Sequence, residues 1–321
     1  MVDIFNIERE YFSLNEERGV FDAYLELGEE IYEALNKVTP KKVGVSTYER
    51  VLNKYVPKSD TFIGNITITY FTFVGTDCKD NIAGSFVHNF TTNDLHDGKL
   101  VNCGITFNEY TNSLGEIDEV YFMTVFSHEM RHGYTYYSIL NQNNGHFTNN
   151  FLHKKAHVGL SRNKTDAPIS KLIGDLVYFL ENEEIGCYAN ETYEYVRAHP
   201  EITRSSINTH MNKLHTYQQL NKLKKLLCVY DKYIESDKNR KLIRNELTRV
   251  FGNKRNSVQM FRQRIVKTIC YINRVFIKTL GKAFDDFDRN DINENKFSLN
   301  DLNWILEVIE RNKHKDERNF I

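Results

Sequence analysis

Proline is scarce, with four in 321 residues, and there is a single tryptophan. So little proline beside sixteen glycines excludes collagen-like repeats, mucin-like stalks and long linkers. No apolar run approaches the about 18 residues that a membrane span needs, so no membrane partner is expected. The formal net charge of −1 argues against a protein that coats nucleic acid along its whole length. Cysteine is sparse too: Cys78, Cys103, Cys187, Cys228 and Cys270 are odd in number and form no CxxC pair. That pattern excludes a disulfide scaffold and predicts buried free thiols in a reducing compartment. The first residues, MVDIFNIEREYF, are acidic and lack the basic-then-apolar order of an export signal, so the expected location is a cytoplasm. Neither a phosphate-binding glycine loop nor a GxSxG elbow is present, which sets aside two large classes of enzyme.

What the chain has is 40% hydrophobic residues, enough to bury a sizeable core and exclude wholesale disorder. Charge is unevenly spread. From Glu201 onward there are 25 basic and 15 acidic residues, against 17 and 28 before it. Two parts with complementary surfaces are the expected cause, ahead of a polyanion-binding tail. The basic stretch from Lys222 to Arg274 has few aromatics to stack on bases and does not point to nucleic acid; a protein assembly partner is the better expectation there.

Three segments follow from the texture: a helical 1–58, a core over 59–200 and a helical 201–321. Leu25, Leu27, Ile31 and Leu35 recur at helical spacing in the first. Residues 61–74 are β-branched, aromatic and largely alternating, which predicts a strand or hairpin, and 84–90 and 99–107 read as two more strands. From 116 to about 140 the period turns helical, with Val120, Tyr121, Val125, His128, His132 and Tyr136 near one side. A polar loop over 141–170 leads to a second helix predicted over 170–197. Helical stripes continue beyond, with Ser298 as N-cap of a last helix holding Trp304. The expected fold class is α+β: a small mixed, mostly antiparallel sheet packed on the 116–140 helix, flanked by N-terminal helices and a C-terminal bundle.

The chemistry concentrates in His128-Glu129-Met130-Arg131-His132, an HExxH string. One helical turn separates the histidines, so both imidazoles leave the same face and can grip one cation. Neutral imidazole nitrogen suits Zn²⁺. Glu129, next to the first ligand, can act as general base on a water activated by that ion. Zinc needs a further ligand, and the extended HExxHxxGxxH pattern is absent, since Thr135 and Ser138 stand where Gly and His belong. A carboxylate from the second helix is the other solution. Glu184 lies four residues after Leu180 and eight after Leu176, on the stripe expected to face the core; Glu183, on the neighbouring stripe, is the alternative. His88, His146, His153, His157 and Tyr188 are candidates to stabilise an oxyanion. The segment 286–297 starts like a calcium loop but lacks the central glycine and the final glutamate, and is rejected.

His128-Glu-Met-Arg-His132 with a downstream glutamate helix resembles the zincin metallopeptidases of the glutamate-ligand (gluzincin) kind. Glu184-Ile-Gly-Cys-Tyr-Ala-Asn190 is similar to the segments that supply the third ligand in many small bacterial and phage zincins. The resemblance covers about residues 59 to 200. It implies His128, His132 and Glu184 as zinc ligands, Glu129 as general base, and a strand within 81–90 that runs along the cleft and pairs with an extended substrate. The expected function is therefore zinc-dependent hydrolysis of peptide bonds in a peptide or protein substrate. The alternative is a structural or assembly subunit on a zincin scaffold, such as a phage virion component, which would place the chain in a host cytoplasm or a virion.

Overall fold

The computed structural model describes residues 18–56, 63–75, 83–88, 101–142, 167–251 and 257–288. The chain divides into two compact units, residues 1–148 and 149–321, and each is treated by itself. The class is α+β, with one five-stranded sheet among the described residues. The helices expected before residue 18, residues 143–166 of the loop expected over 141–170, Cys78 and the last helix with Ser298 and Trp304 lie outside the described residues; the ends of that loop are helical. Among the described residues no helix is long and apolar enough to cross a membrane.

The first unit opens with α1 (Arg18–Asn36), followed by β1 (Lys41–Lys42), β2 (Thr47–Tyr55), β3 (Ile63–Val74), β4 (Gly84–His88), β5 (Val101–Thr111) and α2 (Glu119–Gln142). The sheet order is β1-β2-β3-β5-β4; β3 and β5 run parallel and the other neighbours antiparallel. The expectation of helix throughout the first 58 residues fails at β1 and β2. Apolar and polar residues barely alternate along Thr47–Tyr55, because Arg50 takes a buried position that a strand pattern reserves for an apolar side chain. Pairing with β3 over nine register positions overrides that weak signal.

Alternation sends Ile66, Ile68 and Tyr70 of β3 and Cys103, Ile105 and Phe107 of β5 into one core. Leu27, Ile31 and Leu35 of α1 and Phe122, Phe126 and Met130 of α2 fill it from above. Rings carry the contact from sheet to helix: Tyr70 lies 5.5 Å from Phe107, Phe107 stacks on Phe122 at 4.7 Å, and Phe122 on Phe126 at 5.7 Å. The helices approach closely at Gly28, where a Cβ would fall 2.8 Å from the Phe126 ring. Burial here pushes the Cys103 thiol up to about 12, which makes it a packing group rather than a nucleophile. Among the described cysteines Cys187 is also buried, Cys270 is half-buried and Cys228 exposed; none is bonded to another. The exposure of Cys228 departs from the expectation of burial throughout.

Arg50 is buried because it serves as a fastener. Its Nη2 donates to Gly115 O at 2.7 Å and its Nη1 to Asn36 Oδ1 at 3.2 Å. The same Asn36 oxygen accepts from Ile117 N at 3.0 Å. The end of α1, the middle of β2 and the approach to α2 are thus tied at one place. Asp118 then caps α2, its Oδ1 accepting from Tyr121 N at 2.7 Å. The helix accordingly begins three residues later than its pattern suggested.

The second unit holds α3 (Pro168–Phe179), α4 (Asn182–Ala198), α5 (Ile207–His210), α6 (His215–Tyr233), α7 (Asp237–Phe251) and α8 (Val258–Asp286). The single helix expected over 170–197 is two helices with a break at Leu180–Glu181. Leu180 N turns to Val177 O and Glu181 N to Tyr178 O, which tightens and ends α3. No proline or glycine announces the break. Of the helical stripes expected in the tail, Leu220, Leu223, Leu227 and Tyr230 of α6 share a core with Phe261, Ile265, Ile269 and Ile272 of α8, whereas Leu214, Phe276 and Leu280 join a separate cluster. Arg262 forks onto both Asp231 oxygens at 2.6 Å, joining the same helices.

Replacing Asn36 tests the fastener of the first unit. Asn36→Ala removes an acceptor from a buried guanidinium and a backbone N–H, so urea unfolding should report a loss of about 1–3 kcal/mol. Asn36→Asp keeps the acceptor and should lose less; equal losses would refute the role assigned to that oxygen.

Candidate metal centre

Helix α2 buries four ionisable side chains in five positions: His128, Glu129, Arg131 and His132. The apolar flank of the helix, through Phe122, Phe126 and Met130, is committed to the core. Helical geometry sends the two histidines to the opposite flank. There the Nε2 atoms stand 3.1 Å apart, with ring centroids at 4.9 Å and planes at 65°. Two bonds of about 2.0–2.1 Å meeting at a tetrahedral angle set nitrogens roughly 3.3 Å apart. In the structure this is a hydrogen bond between the rings, and the same spacing and donor chemistry are compatible with a zinc ion held by both.

Edge strand β4 tracks this helix. Tyr121, in the first turn of α2, donates to Ala83 O at 3.1 Å and also to Asn108 O. One step on, a Cβ at position 84 would fall 2.6 Å from Val125 Cγ1 and 2.9 Å from Glu129 Oε1. Further along, Phe86 meets the ring of Tyr136 at 6.4 Å. Only a residue without a side chain lets the strand lie this close, and the consequence is a Glu129 carboxylate set against the strand backbone.

The register decides what the strand offers. Asn108 N donates to Ala83 O at 2.9 Å, so Gly84 and Phe107 form a non-hydrogen-bonded pair. By alternation the backbone groups of Gly84, Phe86 and His88 turn away from β5. Among the described residues no strand pairs with that side of β4. The motif helix thus lies beside the side of β4 that no described strand pairs, with a buried carboxylate at the point of closest approach.

The remaining candidates divide by unit. Glu184 belongs to the second, on α4, where it is buried and accepts a 2.6 Å hydrogen bond from Tyr178 OH on α3. Since α3 and α4 are separate helices, Glu184 does not continue the Ile173, Leu176, Leu180 stripe, and its burial has another cause. Glu183 lies on α4, with its side chain outside the described ones. Tyr188 is buried on α4, and that burial holds its hydroxyl pKa well above the ordinary range. His88 lies at the end of β4, while His146, His153 and His157 fall outside the described residues. Two neighbours escaped the sequence reading: Gly84, and Tyr136 in its contact with His132. A glycine opening a strand and an aromatic one turn past a ligand were the available signals.

Comparisons with protein-family models, with curated proteins and with solved structures each found no match.

Gly84→Ala should force β4 off α2, because Val125 and Glu129 both stand in the way of the methyl group. Thermal unfolding should show a loss of about 1–3 kcal/mol, with faster amide exchange across 84–88. An alanine variant with unchanged stability and exchange would disprove the close approach.

Proposed function

We propose that the protein is a zinc-dependent hydrolase of peptide bonds, with His128 and His132 as metal ligands and Glu129 as general base. The observation that carries the reading is the 3.1 Å spacing of the two Nε2 atoms beside a buried Glu129 on the same helix. The third ligand rests on the resemblance alone, which points to Glu184, with Glu183 the alternative.

A bound zinc ion would polarise the scissile carbonyl and the attacking water. The chain's own residues do the rest. An extended peptide adds to the open side of β4, meeting the N–H and C=O groups of Gly84, Phe86 and His88. That pairing brings the peptide backbone to the stretch of α2 where Glu129 lies against Gly84. Glu129 takes the proton of the attacking water and passes it to the departing amine. Its burial keeps it away from bulk water and fixes its direction. The setting we propose is a cytoplasm, supported by four described cysteines none of which pairs with another.

Metal analysis and peptide hydrolysis test this together. His132→Ala should lose stoichiometric zinc. Glu129→Gln keeps size and shape without basicity, so it should retain zinc and fold while hydrolysis of a peptide library falls by about two or more powers of ten. Unchanged zinc in His132→Ala would overturn the site. Wild-type protein that binds zinc but cleaves nothing would favour an assembly subunit built on the same scaffold.

A further inference from the structure

Beyond the two histidines, the aromatic residues around them form a continuous file. Tyr136 stands one helical turn past His132, its ring centroid 6.2 Å from the imidazole and its plane within 22° of it. On the strand side, Phe86 of β4 lies 6.4 Å from the Tyr136 ring, tilted by 52°. His132 in turn meets His128 edge-on. The order from sheet edge to metal ligand is therefore Phe86, Tyr136, His132, His128.

An imidazole on a helix has two soft torsions, and only some of their combinations aim Nε2 at a cation shared with the residue one turn before. A near-parallel ring offset to one side at 6.2 Å narrows that choice, at little entropic cost because Tyr136 is partly buried and meets Phe86. Groups that fix the orientation of a metal-binding histidine change affinity by about 10–100-fold when removed. We infer that Tyr136 is a positioning residue for the metal ligand His132, acting through its ring, with Phe86 holding it from the edge strand. This inference rests on the proposed metal site. It also gives β4 a second task, because the strand offered to substrate backs the ring that aims a ligand.

The test is a competition titration of Zn²⁺ on the full chain, with far-UV circular dichroism as the folding control. Tyr136→Leu should bind about 10-fold more weakly or worse, whereas Tyr136→Phe, which keeps the ring, should stay within about twofold of the parent. Equal affinity in Tyr136→Leu would overturn the inference, and so would a Tyr136→Phe variant as weak as the leucine one. If Tyr136→Leu does not fold, metal-free protein decides the matter. Nuclear Overhauser contacts between the His132 ring, assigned with His132→Gln, and the ring at position 136 should be present in both wild type and Tyr136→Phe; their absence would refute the ring pairing. A parent protein that binds no zinc but shows these contacts would overturn the metal reading while leaving the pairing in place.

Discussion

The arrangement depends on one steric fact: position 84 has no side chain. A strand at the end of a sheet normally keeps a side chain's width from a helix beneath it. Here β4 approaches α2 until a Cβ would collide with Val125 and Glu129. Tyr121 fixes one end of the approach through Ala83 and Asn108, and Phe86 against Tyr136 marks the other. Everything offered as chemistry lies along that seam: the backbone groups that β4 turns away from β5, the carboxylate and the ring behind the second histidine.

The energetics point the same way. Burying His128, Glu129, Arg131 and His132 within a single turn and a half of helix costs free energy that apolar residues would not. The same helix demonstrates the cheaper alternative on its other flank, where Phe122, Phe126 and Met130 join a ring stack running into the sheet. Polar groups kept under cover at such cost gather at functional sites and in buried ion-pair networks alike. Rigid support is in keeping with this: Asn36 and Arg50 tie the approach to α2 to the first helix and the second strand, and Asp118 caps the helix itself.

Much of this was legible in the sequence, and the failures have physical causes. The spacing of His128 and His132 translates directly into shared geometry because a helix repeats nearly every four residues. The alternation of 61–74 was strong enough to give β3 without help. Thr47–Tyr55 was not, because Arg50 sits inward for the sake of Asn36 and Gly115, contacts that no local pattern encodes. The break between α3 and α4 was equally hidden, since Leu180 and Glu181 are ordinary helix formers. That break removes the stripe argument for Glu184, whose burial and bond to Tyr178 come from the packing of its own unit. Gly84 was visible as a letter, but its meaning required the partner helix.

The central claim is that both imidazoles of α2 hold one metal ion through their ε nitrogens. X-ray absorption at the zinc edge of the zinc-loaded protein tests it most directly. The expected result is a shell containing two histidine nitrogens at about 2.0–2.1 Å, with the multiple-scattering pattern of imidazole rings. A shell of oxygens or sulfurs without imidazole scattering would contradict it.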